Sequence, residues 1–146
     1  MNVVIRRATL ADAPVLAALE AACFAEPWSL ADVASDLRQN VSRAWLAELD
    51  GIAVGYLLGS QVVDEFTVAR VASAPKARRS GVGRALLDHA VTAAQGQGVT
   101  VVFLEVRAGN VAAIRLYETA GFVVTRRRKG YYQDGEDALD MRWDLT

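Results

Sequence analysis

The sequence has one cysteine, Cys23, and one histidine, His89. A single thiol closes off intrachain disulfides, CxxC motifs and cysteine zinc sites, and it fits a reducing, cytoplasmic compartment. A single imidazole excludes multi-histidine centres, so no metal is expected. Acid–base chemistry then has to rest on carboxylates, tyrosines, lysines or water. No charge of one sign dominates: 16 Lys+Arg stand against 17 Asp+Glu. That balance denies the chain the broad basic surface nucleic acid requires. No apolar run approaches the ~18 residues of a membrane span. The opening MNVVIRRATL has neither a long apolar core nor a small-residue cleavage site, so no secretory leader is expected. Prolines number only 3, and no linker or low-complexity tract divides the chain. What is present is apolar material: 53% of the 146 residues are hydrophobic, which rules out disorder and suits one domain over 1–146.

The pattern predicts a mixed α/β fold with a largely antiparallel central sheet flanked by helices. Val3–Arg6 opens it as a strand. Val15, Leu16, Leu19 and Cys23 share a helical face over Pro14–Cys23, which places Cys23 in the core. Pro27-Trp28-Ser29 breaks that helix, and Ser29 caps a second over Leu30–Arg38. Ala44–Leu49 and Ile52–Gly59 form a hairpin about Asp50-Gly51. Gln61–Ala72 reads as one further strand, with an irregular alternation that hints at a bulge. A helix over Val82–Gln97, a strand over Val99–Arg107 and a helix over Val111–Ala120 follow. Phe122–Arg127 and Ala138–Trp143 close the chain as a pair of strands.

Three features stand out chemically. The loop Arg78-Arg79-Ser80-Gly81-Val82-Gly83 joins a strand to a helix, with Arg84 just inside it. Its glycines let backbone approach a ligand, and free N–H groups at a helix start suit a phosphate. A solvated basic turn is the competing reading. It is not a Walker A loop, and Leu86 stands where a dinucleotide fingerprint needs its third glycine. Glu105 interrupts an apolar strand near its carboxyl end. A partly desolvated carboxylate there has a raised pKa and serves as a base; a salt bridge to Arg107 is the alternative. Asn110 and Tyr117 lie seven residues apart on one helix, ~20° apart about its axis. They are either a cap and a packed ring or a phenol near a reacting centre. Trp28, Tyr131 and Tyr132 are candidates to line a substrate groove.

Together these features resemble the GNAT superfamily of acyl-CoA-dependent N-acetyltransferases. Arg78, Gly81 and Gly83 match its [Gln/Arg]-x-x-Gly-x-[Gly/Ala] signature. Glu26-Pro27-Trp28-Ser29, LEVRAGNVAAIRLYETAGF at 104–122 and GYYQDGEDALDM at 130–141 look more specifically like its RimI branch, the bacterial ribosomal-protein alanine N-acetyltransferases. The resemblance implies a sheet that splays between the strand ending near Ala72 and the strand carrying Glu105. Acetyl-CoA would lie in that split as cosubstrate. Backbone of Val71, Ala72 and Ser73 would pair with its pantetheine arm. Arg78, Arg79, Ser80, Gly81, Val82, Gly83 and Arg84 would hold its pyrophosphate, and Asn110 would touch the cofactor. Glu105 would be the general base and Tyr117 the general acid, also in contact with the cofactor. The partner would be a protein N-terminus, most readily the alanine of a small-subunit ribosomal protein, bound by a monomer or weak dimer.

The residue types suit that chemistry. An α-amine has a pKa of ~7.7–8.0 and a lysine ~10.4, so at neutral pH roughly a tenth of α-amines, but very few lysines, are already nucleophilic. A lysine- or small-amine acetyltransferase is the second reading, and a non-catalytic acyl-CoA-binding subunit the third. Two positions depart from the family pattern. Ser73-Ala74 replace an aliphatic residue followed by Asp or His, and Asp140 replaces an apolar residue in the last strand.

Overall fold

The computed structural model describes residues 2–78 and 80–145. Seven strands form one sheet in the order β1-β2-β3-β4-β5-β7-β6. β1 (Val3–Arg7) pairs antiparallel with β2 (Ser42–Leu49), and α1 (Ala13–Cys23) and α2 (Leu30–Leu37) lie in the connection between them. Ser29 caps α2, its Oγ accepting the Asp32 N–H at 3.1 Å. The β2–β3 hairpin turns through Asp50 and Gly51, both left-handed at φ +53° and +79°. That geometry matches the twist of the strands it joins.

β3 (Ile52–Val62) and β4 (Glu65–Ser73) correct the sequence reading, which ran Gln61–Ala72 together as one strand. The chain reverses at 63–64, where Val63 adopts φ +55°, a conformation no β-branched residue advertises. The expected irregularity sits inside β4. Gly59 pairs with Val68 and Leu58 with Arg70, leaving Ala69 unmatched. This bulge switches which residues face which side. Phe66 and Val68 pack into one layer, and beyond the bulge Ala72 packs into the other.

α3 (Val82–Gly96) carries the chain across to β5 (Val101–Arg107), which runs parallel to β4. Leu86, Leu87, Ala90, Val91 and Ala94 of α3 recur at helical spacing and bury against Trp45, Leu57, Phe66 and Val102. Gly55 permits the close approach, since a Cβ there would stand 2.7 Å from the Val82 side chain. On the opposite face Leu16 and Leu19 of α1 and Val33 of α2 cover Leu46, Tyr56 and Leu58. α4 (Val111–Ala120), β6 (Val123–Arg128) and β7 (Ala138–Asp144) complete the fold, with β7 inserted between β5 and β6. Among the described residues, no helix is long and apolar enough to cross a membrane.

The feature that positions the site is a gap in the sheet. The β4–β5 ladder runs from Glu65–Val101 to Val68–Leu104 and stops there. β4 continues to Ser73 and β5 to Arg107 without pairing to each other. The last paired position is the one before the bulge, so the bulge and the parting of the strands coincide. The expected splay lies between these two strands.

Candidate functional site

A cleft of about 690 Å3 occupies the split. Val71, Ala72 and Ser73 form one side, the start of α3 one end, and Asn110, Ala113, Leu116 and Tyr117 of α4 the other side. Past the bulge β4 pairs as a strand only with β3, and although the Ser73 carbonyl accepts from Cys23 and Arg78, no strand covers its edge toward β5, which leaves room for an extended ligand. α3 begins after Gly81, which takes φ +81° and therefore favours glycine. Among the described residues no side chain caps this end of the helix, and its first turn, Val82–Arg84, lines the cleft. Helix dipole and free donors together suit an anion. Gly83 also lines the cleft, yet a Cβ there would make only ordinary contacts, 3.6 Å to Leu116 and 3.8 Å to Ser73. The fold itself does not demand that glycine.

Of the loop residues singled out from sequence, Arg78, Gly81, Val82, Gly83 and Arg84 line the cleft. Ser80 does not: its hydroxyl donates to the Ala77 carbonyl and it sits in a separate depression with Lys76 and Leu49. Arg79 lies outside the described residues. Arg84 shares its charge with Asp88, one turn on, at 3.0 Å. Cys23 corrects the core assignment. It is only half-buried at the cleft edge, beside Phe24, and its thiol donates to the Ser73 carbonyl at 3.3 Å.

Tyr117 is fixed by its neighbours. Its ring meets Phe122 edge-on at 5.8 Å, and Phe122 meets Trp143 at 5.5 Å. Gly121 makes that chain turn possible, with φ +135° and no room for a Cβ beside the Trp143 ring. Tyr117 is 8% exposed, and burial pushes its phenol up to about 12. Asn110, seven residues earlier, caps α4 by accepting the Ala113 N–H at 3.2 Å and also lines the cleft. Cap and cleft wall are both true of it.

Glu105 is the first residue of β5 beyond the last β4–β5 pair. It lies in a different depression, a groove of about 480 Å3 with Thr67, Ala69, Phe103, Arg128 and Asp140. The carboxylate is exposed, which corrects the expected desolvation. The Arg107 alternative fails too, because that guanidinium bonds Asp134 at 2.8 Å and Glu136 at 2.9 Å. Asp140, the family departure on β7, stands directly across from Glu105 and is engaged by Arg128 at 2.9 Å. Like charges directly opposite repel. The Arg128 guanidinium offsets that repulsion.

Trp28, Tyr131 and Tyr132 do not line the Glu105 groove itself. Each instead packs on an arginine near it: Tyr131 on Arg128 at 5.2 Å, Tyr132 on Arg107 at 4.0 Å and Trp28 on Arg70 at 5.3 Å. Burial and the nearby Glu105 carboxylate push the Tyr132 phenol up, so those two side chains share one electrostatic environment. Sequence reasoning missed Glu20, Tyr56 and Arg70, which meet behind Trp28. One signal was available: Glu20 falls next to Leu19 and one turn after Leu16 on the apolar face of α1.

Comparison with known proteins bears on what this arrangement serves. The acetyltransferase (GNAT) family profile matches residues 13–122. The chain is 37% identical over 138 residues to the ribosomal protein bS18-alanine N-acetyltransferase of Escherichia coli K12, covering 92% of this chain and 93% of that protein. It is 36% identical over 143 residues to the N-alpha-acetyltransferase RimI of Mycobacterium tuberculosis, covering 93% and 89%. The crystal structure of the Escherichia coli ribosomal-protein-S18-alanine N-acetyltransferase superposes with a TM-score of 0.93 at 34% identity, over 99% of this chain and 95% of that one.

Proposed function

The chain belongs to the acetyltransferase (GNAT) family, and from that premise we propose that it moves an acetyl group from acetyl-CoA to the α-amine of a protein's N-terminal alanine. The favoured acceptor is a small-subunit ribosomal protein, as the names of its relatives have it for them, and the reaction belongs to the cytoplasm. One observation carries the reading. The two strands that part after Val68–Leu104 leave a cleft holding Tyr117 and a groove holding Glu105, both bordered by β4.

Acetyl-CoA fits the cleft by chemistry. The open edge of β4 at Val71–Ser73 offers backbone groups to the amides of a pantetheine arm. The uncapped start of α3, with Arg78 and Arg84, offers donors and charge to the pyrophosphate. Asn110 and Tyr117 face the same cleft from α4.

The acceptor amine enters by the groove. Glu105 takes its proton, directly or through a water, which an exposed carboxylate permits. The nitrogen attacks the thioester carbonyl carbon, the C–N bond forms and the C–S bond breaks. The departing thiolate takes a proton from Tyr117, whose phenol stays protonated because burial holds it near 12. A thiol of pKa ~8.5 is an undemanding leaving group, so the larger share of the catalysis falls to Glu105.

The test is a comparison of acceptors. Transfer from acetyl-CoA to an alanine-starting ribosomal peptide should exceed transfer to an N-blocked, lysine-containing peptide by at least about tenfold, given their different neutral fractions. Preference for the blocked peptide overturns the N-terminal assignment.

A further inference from the structure

Glu20 is the one fully buried charged side chain among the described residues, and the transfer chemistry has no use for it. Its carboxylate gathers donors from three parts of the chain. Oε1 accepts the Trp28 backbone N–H at 2.8 Å and an Arg70 Nη2–H at 3.0 Å, and Oε2 accepts the Tyr56 hydroxyl. Burial and this bond push the Tyr56 phenol up, so it remains a donor. Arg70 also donates to the Glu26 carbonyl at 3.4 Å and lies against two aromatic faces, Phe24 at 4.1 Å and Trp28 at 5.3 Å. Its Nε is buried with no partner among the described residues.

The placement is specific. Arg70 follows the bulge on β4, between Ala69, which lines the groove, and Val71, which lines the cleft. Phe24 lines the cleft, while Trp28 belongs to the segment joining α1 to α2. Buried ion pairs contribute little net stability, because apolar residues of like volume often do as well. An orphaned Nε weakens the stability case further. What the pair accomplishes is geometry: it ties the 24–28 segment to the bulge where the strands part.

We propose that Glu20 and Arg70 are positioning residues that clamp Phe24 and Trp28 at the junction of cleft and groove, where the acceptor amine must meet the acetyl donor. The proposal rests on the acceptor being a peptide N-terminus, and its test separates the two ideas. Relative to wild type, R70M should lower the melting temperature by leaving Glu20 unpaired and raise the KM for the alanine peptide about tenfold while kcat stays near wild type, the split expected for lost acceptor binding. R70K keeps the charge but not the planar stack, so its melting temperature should hold while its KM rises. The double variant E20Q/R70M removes the uncompensated buried charge, so its melting temperature should recover while its peptide KM stays high. Recovery of both together, or an R70M peptide KM equal to wild type, overturns the proposal.

Amide exchange supplies a readout that needs no turnover. The 24–30 segment should exchange at least about tenfold faster in the double variant, with 86–94 in α3 unchanged. Unchanged exchange at 24–30 overturns the clamp even where wild type fails to acetylate the peptide, an outcome that would separately refute the N-terminal reading.

Discussion

In the proposed mechanism Glu105 and Tyr117 would divide the proton work unequally, and their surroundings differ accordingly. Glu105 is exposed, so Glu105→Gln removes a base without leaving a cavity. Turnover should fall about a hundredfold or more, with melting temperature unchanged. Tyr117→Phe should cost less, about tenfold, because a thiolate leaves readily without help. Burial raises the Tyr117 phenol to about 12, against about 10 for an unfolded tyrosine, so the fold favours the protonated form. Stability from this group is therefore complete below pH ~10 and is lost as pH rises from ~10 to 12. Tyr117→Phe should flatten that alkaline decline in chemical-denaturation titrations across pH 9–12, and an identical decline in both proteins would contradict the assigned shift. The residue scale is also where the sequence was least legible. Glu105 stood out as a charge in an apolar strand, whereas Glu20 looked like one more polar position on a helix. Its three donors come from residues 28, 56 and 70, and no spacing rule links those numbers.

Elements were legible wherever local chemistry marked their ends. Asp50-Gly51, Ser29 and the asparagine that opens α4 each announced a boundary the structure keeps. The turn at 63–64 was hidden because Val63 carries the positive φ, and valine is read as strand. The start of α3 is the element whose role is most open to test. Gly81 is needed for its backbone conformation, but Gly83 is not needed for packing. Gly83→Ala should therefore leave the melting temperature unchanged or slightly higher, alanine being the better helix former. A methyl group facing the cleft should nonetheless weaken CoA binding about tenfold by calorimetry, equivalent to about 1.4 kcal/mol. Undiminished affinity would mean that no ligand comes close to the Gly83 backbone.

At the scale of the whole molecule, the sheet is held together on one side of the split by β3 and on the other by β7. Past Val68–Leu104 nothing joins β4 to β5 by backbone bonds. Composition and periodicity foretold an α/β sheet, but a gap in it depends on which strands pair across long stretches of chain, and only the resemblance carried that expectation. On the proposed reading, acetyl-CoA lying in the gap would replace the missing ladder. Acetyl-CoA at a hundred times its Kd should then add about 2.7 kcal/mol of stability through linkage. For a chain of this length that corresponds to a rise of roughly 5–10 °C in melting temperature. The protection should be local: amides at 70–73 and in the first turn of α3 should slow, while those of the β1–β2 pair should not. Uniform protection across the sheet would mean that the ligand tightens the fold from elsewhere, and the gap would lose its place as the cofactor site.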